Sequence, residues 1–245
     1  GIITIKGNWH GRTMGSQMLA GKNEASKWIG FFDKNIYQID FPYPWTKKSS
    51  DKNFFKNSLK KNFKKNFNFK NKVSMIMLET FQGWGAVFYP KVYVKMIESF
   101  CLKNNILLCF DEMQSGFART GKKFGFEHYN VKPDMICCGK GMGSGFSLSG
   151  VIASNKIFNN KNISGLSSTH SSNPISCAAG IGTIDIITKK KLVKNSMIKG
   201  KILHKNLSDI AKKNKKIVLD CLGQGLIASI IFKNYKNLSG KNIAD

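Results

Sequence analysis

Apolar residues fall into short runs along this chain, and stretches of helical spacing separate them. Ile2–Ile5, Ile36–Asp40 and Val73–Leu78 read as strands, the last ending at Glu79. Asn105–Cys109, leading into Phe110 and Asp111, reads as a buried strand, and so do Met135–Cys138 and Ser149–Ala153. Thr13–Ala20 and the lysine-rich Ser196–Lys213 keep the spacing of amphipathic helices, and Pro90–Lys103 and the Ala-, Gly- and Ile-rich Pro174–Thr188 also read as helices. Phe41-Pro-Tyr-Pro-Trp45 must be irregular, because each proline restricts the residue before it. In Lys47–Lys72, Phe55, Leu59, Phe63 and Phe67 recur every four residues, which predicts a surface helix with a charged outer face. Gly223-Gln-Gly225 then leads into a further strand, Leu226–Phe232. Alternating strands and helices predict an α/β fold with a mostly parallel central sheet.

Composition narrows the partners. The chain has 245 residues, and no apolar run approaches the length of a membrane span. No signal peptide is visible, and the chain starts inside a strand without Met, so we expect a fragment of a cytoplasmic protein. Six cysteines lie mostly in apolar runs with no CxxC pair, as buried thiols of a reducing compartment would. A net charge of +25 raises nucleic acid as a partner. The lysines are spread over every predicted helix and loop, however, and Arg12 and Arg119 are the only arginines. Nucleic-acid readers rely on arginine forks, so we expect neither nucleic acid nor membrane as a partner. The four histidines, His10, His128, His170 and His204, are too scattered for a metal site.

The chemistry concentrates at two strand ends. Asp111 closes one predicted parallel strand, and Lys140 follows another, in Gly139-Lys-Gly-Met-Gly-Ser-Gly145. In open α/β sheets that edge binds ligands. An acid and an amine there suit pyridoxal phosphate: the lysine forms a Schiff base, and the acid keeps the pyridine nitrogen protonated. The plainer reading makes Asp111 a turn cap and Lys140 solvated surface.

Longer motifs favour the first reading. Asp111-Glu-Met-Gln-Ser-Gly-Phe-Ala-Arg-Thr-Gly-Lys122 is followed by Phe126-Glu-His128, Lys132-Pro-Asp134 and Gly139-Lys-Gly-Met-Gly143. From about Lys6 to about Ile231 the chain resembles the class III pyridoxal-phosphate aminotransferases, whose members act on acetylornithine, ornithine, 4-aminobutyrate and other ω-amino compounds. The resemblance implies a fold-type I transferase with a homodimer sharing its active sites. It makes Asp111 the partner of the pyridinium nitrogen and Lys140 the Schiff-base lysine. Met113, where the family commonly has Val, would pack on the ring, and Gln114 would bond the phenolic oxygen. Asn8-Trp9-His10-Gly11-Arg12-Thr13 resembles the family's aromatic-His-Gly-Arg-Thr segment. There Trp9 would stack on the ring with His10 beside the cofactor, and Arg12 would grip a substrate carboxylate. Glu79 would help sort substrates, with Thr80 standing where the family has proline. Thr169 would bind the cofactor phosphate of the neighbouring subunit.

The resemblance also implies a phosphate-cradling turn before residue 1 and a carboxylate-binding arginine after residue 245. We expect a large cofactor domain over 1–190, and a linker helix with the start of a small domain over 191–245. Other reactions on the same scaffold, such as an aminomutase, racemase or decarboxylase, stay open, as does a catalytically inert fragment. Gln114 favours transamination from an amino-acid or ω-amino donor to a 2-oxo acid.

Overall fold

The computed structural model describes residues 1–21, 24–46, 51, 53–159 and 168–244. The strands in chain order are β1 (Ile2–Ile5), β2 (Ile36–Ile39), β3 (Met75–Glu79), β4 (Phe81–Gln82), β5 (Val87–Phe88), β6 (Leu107–Asp111), β7 (Met135–Cys138), β8 (Gly150–Ala153), β9 (Val218–Gln224) and β10 (Ile227–Phe232). The helices are α1 (Met14–Leu19), α2 (Phe54–Asn62), α3 (Phe69–Lys72), α4 (Lys91–Asn104), α5 (Asn155–Phe158), α6 (Pro174–Lys189), α7 (Leu192–Lys213) and α8 (Gly240–Ala244).

One six-stranded sheet has the order β2-β1-β3-β6-β7-β8. Its pairs are parallel except β7 with β8. The exception has a steric cause. A parallel return needs a crossover, usually a helix, and no α-helix stands in the glycine-rich link between β7 and β8. β3 and β6 lie at the centre and are buried along nearly their whole length, which is why they read as unbroken apolar runs. Ile3, Ile5, Ile39, Ile76, Leu78, Leu108 and Phe110 of the sheet pack with Val94 and Ile97 of α4 and with Phe55 and Leu59 of α2. Burial fades at the edge, where Val151 and Ile152 of β8 are exposed.

Several boundaries differ from the sequence reading. The four-residue aromatic spacing extends past its helix. Phe55 and Leu59 are on the buried face of α2, but the helix ends at Asn62 and Phe63 is extended. Phe63 and Phe67 instead surround Tyr37, at ring centroid distances of 5.2 and 5.4 Å. Lys47–Ser50 and Lys52 of that stretch lie outside the described residues. Pro90 is the cap before α4 and not its first helical residue. Asn105, expected to open a strand, closes α4 in the left-handed conformation (φ 54°), a role Asn tolerates well. α7 starts one turn earlier than predicted, at Leu192, just after the left-handed Lys191.

β9 pairs antiparallel with β10, and only β10 is predicted from the sequence. The hairpin is tied to the rest of the chain. Leu226 N–H donates to Arg119 O at 3.0 Å, and the Ser229 hydroxyl donates to Gly85 O. No helix among the described residues is long and apolar enough to cross a membrane.

Leu78 is fully buried in β3, one of the two central strands of the sheet. Leu78→Ala should cost about 2–5 kcal/mol, the sum of lost transfer energy and the residual cavity. Urea denaturation checks this, and a loss well under 1 kcal/mol would show that β3 is not the centre of the core.

Candidate active site

The register of two strands builds this site. β3 and β6 run parallel with Glu79 opposite Asp111 as the last pair, so both carboxylates leave the sheet on one face at its C-terminal edge. Asp111 also pairs with Cys137 of β7, and three residues further on comes Lys140. Gly139 between them is extended, whereas Lys140 adopts the left-handed conformation at φ 44° and opens a single 3₁₀ turn. For a side chain with a Cβ this conformation is unfavourable, and it turns the lysine out of the line of the strand.

A cavity of about 230 Å³ lies at this edge, lined by Trp9, His10, Gly11, Glu79, Asp111, Met113, Gln114 and Lys140. Residues up to about 130 positions apart in sequence thus meet in one space. Asp111 is buried and held by two donors: Met113 N–H reaches Oδ1 at 3.0 Å, and His10 Nδ1 lies 2.9 Å from Oδ2. The His10 side chain is 1% exposed, and its other ring nitrogen, Nε2, has no hydrogen-bond partner. The sequence reading expects His10 beside the cofactor. Its observed place is directly behind Asp111.

Glu79 accepts from Trp9 N–H at 2.9 Å and from Gln114 Nε2 at 3.4 Å. Its carboxyl is pushed up to about 8. Burial is the leading cause and the charge of Asp111 adds to it, while the Trp9 and Gly83 amides and Lys140 act against it.

The next acid, Glu112, points away from the cavity into a closed clamp. It is fully buried and accepts from Thr80 Oγ1 (2.6 Å), Ser115 Oγ (2.7 Å), Gly125 N–H (2.7 Å) and Phe126 N–H (2.8 Å). Burial pushes this carboxyl up, and the four donors pull it back. Thr80, a departure from the expected proline, has a role here: its hydroxyl bonds Glu112 while its carbonyl accepts from Tyr129. The sequence reading missed this clamp, although the acidic pair Asp111-Glu112 followed by Ser115 was its visible sign.

Two predicted residues stand apart from the cavity. Arg12 is exposed and sits over the Trp9 ring, 5.7 Å from its centroid, without lining the cavity. Thr169 is exposed in the turn before α6. The Asn173 side chain, not Thr169, caps that helix by accepting from Ile175 and Ser176 N–H. His128 bonds Thr120 and His204 bonds Gly225 O, and no cluster suited to a metal occurs among the described residues.

The family model for aminotransferase class III matches residues 1–244. The chain belongs to this family. It is 31% identical over 231 residues to ornithine aminotransferase 1 of Staphylococcus saprophyticus, covering 94% of this chain and 53% of that protein. It is also 31% identical over 229 residues to acetylornithine aminotransferase of Caldanaerobacter subterraneus, covering 92% and 53%. Among solved structures, a transaminase from the marine bacterium Virgibacillus superposes with a TM-score of 0.82 at 28% identity, over 94% of this chain and 52% of that one. The chain therefore spans about half the length of the relatives it matches. Class III aminotransferases depend on pyridoxal phosphate.

The raised Glu79 pKa predicts a pH dependence. The folded value lies above the ordinary 4.5, so the folded chain holds this proton more tightly than the unfolded chain does. The stability it contributes is complete below pH 4.5 and is lost as pH rises through about 8. In Glu79→Gln that part of the loss should vanish. Denaturation midpoints across this range test it, and an unchanged slope in the variant would contradict a buried, protonated Glu79.

Proposed function

We propose that this chain forms the cofactor-binding part of an aminotransferase that moves an amino group from an amino acid or ω-amino compound to a 2-oxo acid. One observation carries the reading: Asp111 and Lys140, from neighbouring parallel strands, open into the same cavity with Trp9 on its wall.

The residues fit pyridoxal phosphate. Each oxygen of Asp111 has one protein donor, so acceptor capacity remains for a protonated ring nitrogen. When bound, the cofactor supplies a ring that draws electrons from the substrate carbon bearing the amino group. Asp111 would hold the ring nitrogen in its protonated form, because an acid–cation pair is strong where water is excluded. His10 is the positioning residue, fixing one Asp111 oxygen. Trp9 and Met113 would pack on the ring, and Gln114 would bond its phenolic oxygen. Lys140 would hold the cofactor covalently and then, as a free amine, carry the proton between the substrate carbon and the cofactor. Glu79 and Arg12 would contact the substrate, and Thr169 would bind the cofactor phosphate of a second subunit.

Exposure supports that last assignment. Thr169 and the α6 residues Ile175, Ile181, Ile184 and Ile186 are all exposed, as suits a surface covered in a homodimer. We further propose that residues 1–190 form the large domain and that 191–245 begin a smaller one, since the left-handed Lys191 separates α6 from α7. Six free cysteines suit the reducing cytoplasm.

Borohydride treatment of the cofactor-loaded, full-length protein should fix a pyridoxyl label on Lys140, read by peptide mapping. A label on another lysine ends the assignment. Asp111→Asn should keep the fold, by circular dichroism, and lower kcat by a factor on the order of 10²–10³, as when a preorganised charge partner is removed.

Mixing subunits tests Thr169. Thr169→Val and Lys140→Ala proteins should each be nearly inactive. A shared site gathers both lesions into one site of the mixed dimer and leaves the other intact. Subunit exchange should therefore restore up to about half of the wild-type activity per heterodimer. No rescue means that Thr169 does not serve the partner's site.

A further inference from the structure

Two thiols meet one step back from the Lys140 cavity: Cys109 Sγ and Cys137 Sγ lie 3.8 Å apart. Cys109 stands two residues before Asp111 on β6, and Cys137 is the register partner of Asp111 on β7. Alternate residues share a face of a strand, so both thiols and the Asp111 carboxylate are on the same side of the sheet. Three residues after Cys137 comes Lys140. Neither cysteine lines the cavity. Two sulfurs in contact inside a sheet are often no more than packing, because cysteine behaves there as a small hydrophobe.

Exposure and ionisation set this pair apart. Cys109 is buried, whereas Cys137 is half-buried and open in part to small solutes. A partly open thiol with a second thiol behind it is the arrangement that oxidation followed by resolution needs. Burial pushes the Cys101 and Cys138 thiols up to about 12. Cys137 is drawn down instead, because the Cys109 S–H donates to its sulfur, while burial and the charge of Asp111 oppose this. The shared proton stays on Cys109, whose own thiol is pushed up. The thiolate is the reactive form, so the partly open member of the pair is also the one that ionises.

Resting on the aminotransferase reading, we infer that Cys109 and Cys137 form a reversible oxidation site that takes a peroxide and switches the Lys140 site off by joining β6 to β7. The chemistry balances. The Cys137 sulfur attacks one peroxide oxygen, the O–O bond breaks, and water leaves with the thiol proton, giving a sulfenic acid. The Cys109 sulfur then attacks the Cys137 sulfur, the S–O bond breaks, and a second water leaves as the S–S bond forms. Two thiols are oxidised and one peroxide is reduced.

The consequence for the site follows from distance. A disulfide holds its sulfurs about 2.05 Å apart, so the pair must close by well over an ångström from its 3.8 Å contact. The strands share that movement, and Asp111 and Lys140 are carried by them. A displacement of about 1 Å near a reacting group can cost on the order of 10² in rate. A bond made under such strain is also easily reduced, which suits a reducing compartment where disulfides are transient and regulatory.

The test uses the full-length, cofactor-loaded protein. After hydrogen peroxide treatment, remaining thiols are alkylated in denaturant and the peptides are mapped by mass spectrometry. The Cys109 and Cys137 peptides should be found joined and lighter by two hydrogens, and dithiothreitol should separate them. Aminotransferase activity should fall about tenfold or more as the bond forms, and dithiothreitol should restore it. In Cys109→Ser no bond can form, and dimedone should capture the sulfenic acid on Cys137. In Cys137→Ser, Cys109 should be recovered alkylated. Peroxide that oxidises Cys177 while Cys109 and Cys137 both stay free overturns the inference, and so does a bond that leaves activity unchanged.

The two readings fail separately. A pyridoxyl label on Lys140 without any Cys109–Cys137 bond keeps the aminotransferase and removes the switch. The bond without any label keeps the oxidation site and removes the aminotransferase.

Discussion

Two carboxylates closed off from water at the same level of neighbouring strands set the terms for this site. The parallel register that aligns Glu79 with Asp111 cannot be relaxed without shifting the central pair of strands. Like charges so placed repel in a medium that screens them poorly, and the surroundings divide the burden. Asp111 is given two donors, one of them a buried histidine. Glu79 is driven toward its neutral form. A cationic ring beside Asp111, as the family's cofactor would supply, would complete that balance.

Much of the fold was legible because a parallel sheet covered on both faces writes itself as apolar runs. β1, β2, β3, β6 and β7 all stand close to where the runs fall, and the helix ends carry Pro90, Asn105 and Asn173 as punctuation. Local periodicity was misleading where aromatic residues pack outside a helix. Phe63 and Phe67 keep a four-residue spacing by coincidence, since what they serve is Tyr37 on a distant strand. β9 was missed because Asp220 and Gly223 interrupt its pattern, and its pairing with β10 depends on a turn that the sequence shows only as Gly-Gln-Gly.

The site was legible through its motif, not through spacing. No periodicity could announce that Trp9, Glu79, Asp111 and Lys140 share a cavity, because they come from four separate segments. The resemblance supplied that grouping. It could not supply what is particular to this chain: the Thr80 hydroxyl in the Glu112 clamp, or the contact between Cys109 and Cys137. Arg12 and Thr169 lie apart from the cavity in the single chain, so their assigned roles depend on surfaces that other segments or subunits would bring.

The glycines around the two acids suggest how this protein can change over evolutionary time. A methyl group at Gly139 would meet Met113 Sδ at 2.4 Å, the movable end of a flexible side chain. At Gly125 it would meet the Thr80 and Ser115 side chains at 2.7 Å, within the hydrogen-bonded clamp on Glu112. The first position can drift if residue 113 shrinks with it, so the two should covary through permissive intermediates. The second has no such partner, because any added atom breaks a buried network whose members are all in use. The cavity wall can thus change by small steps, while the scaffold directly behind it is locked against gradual revision.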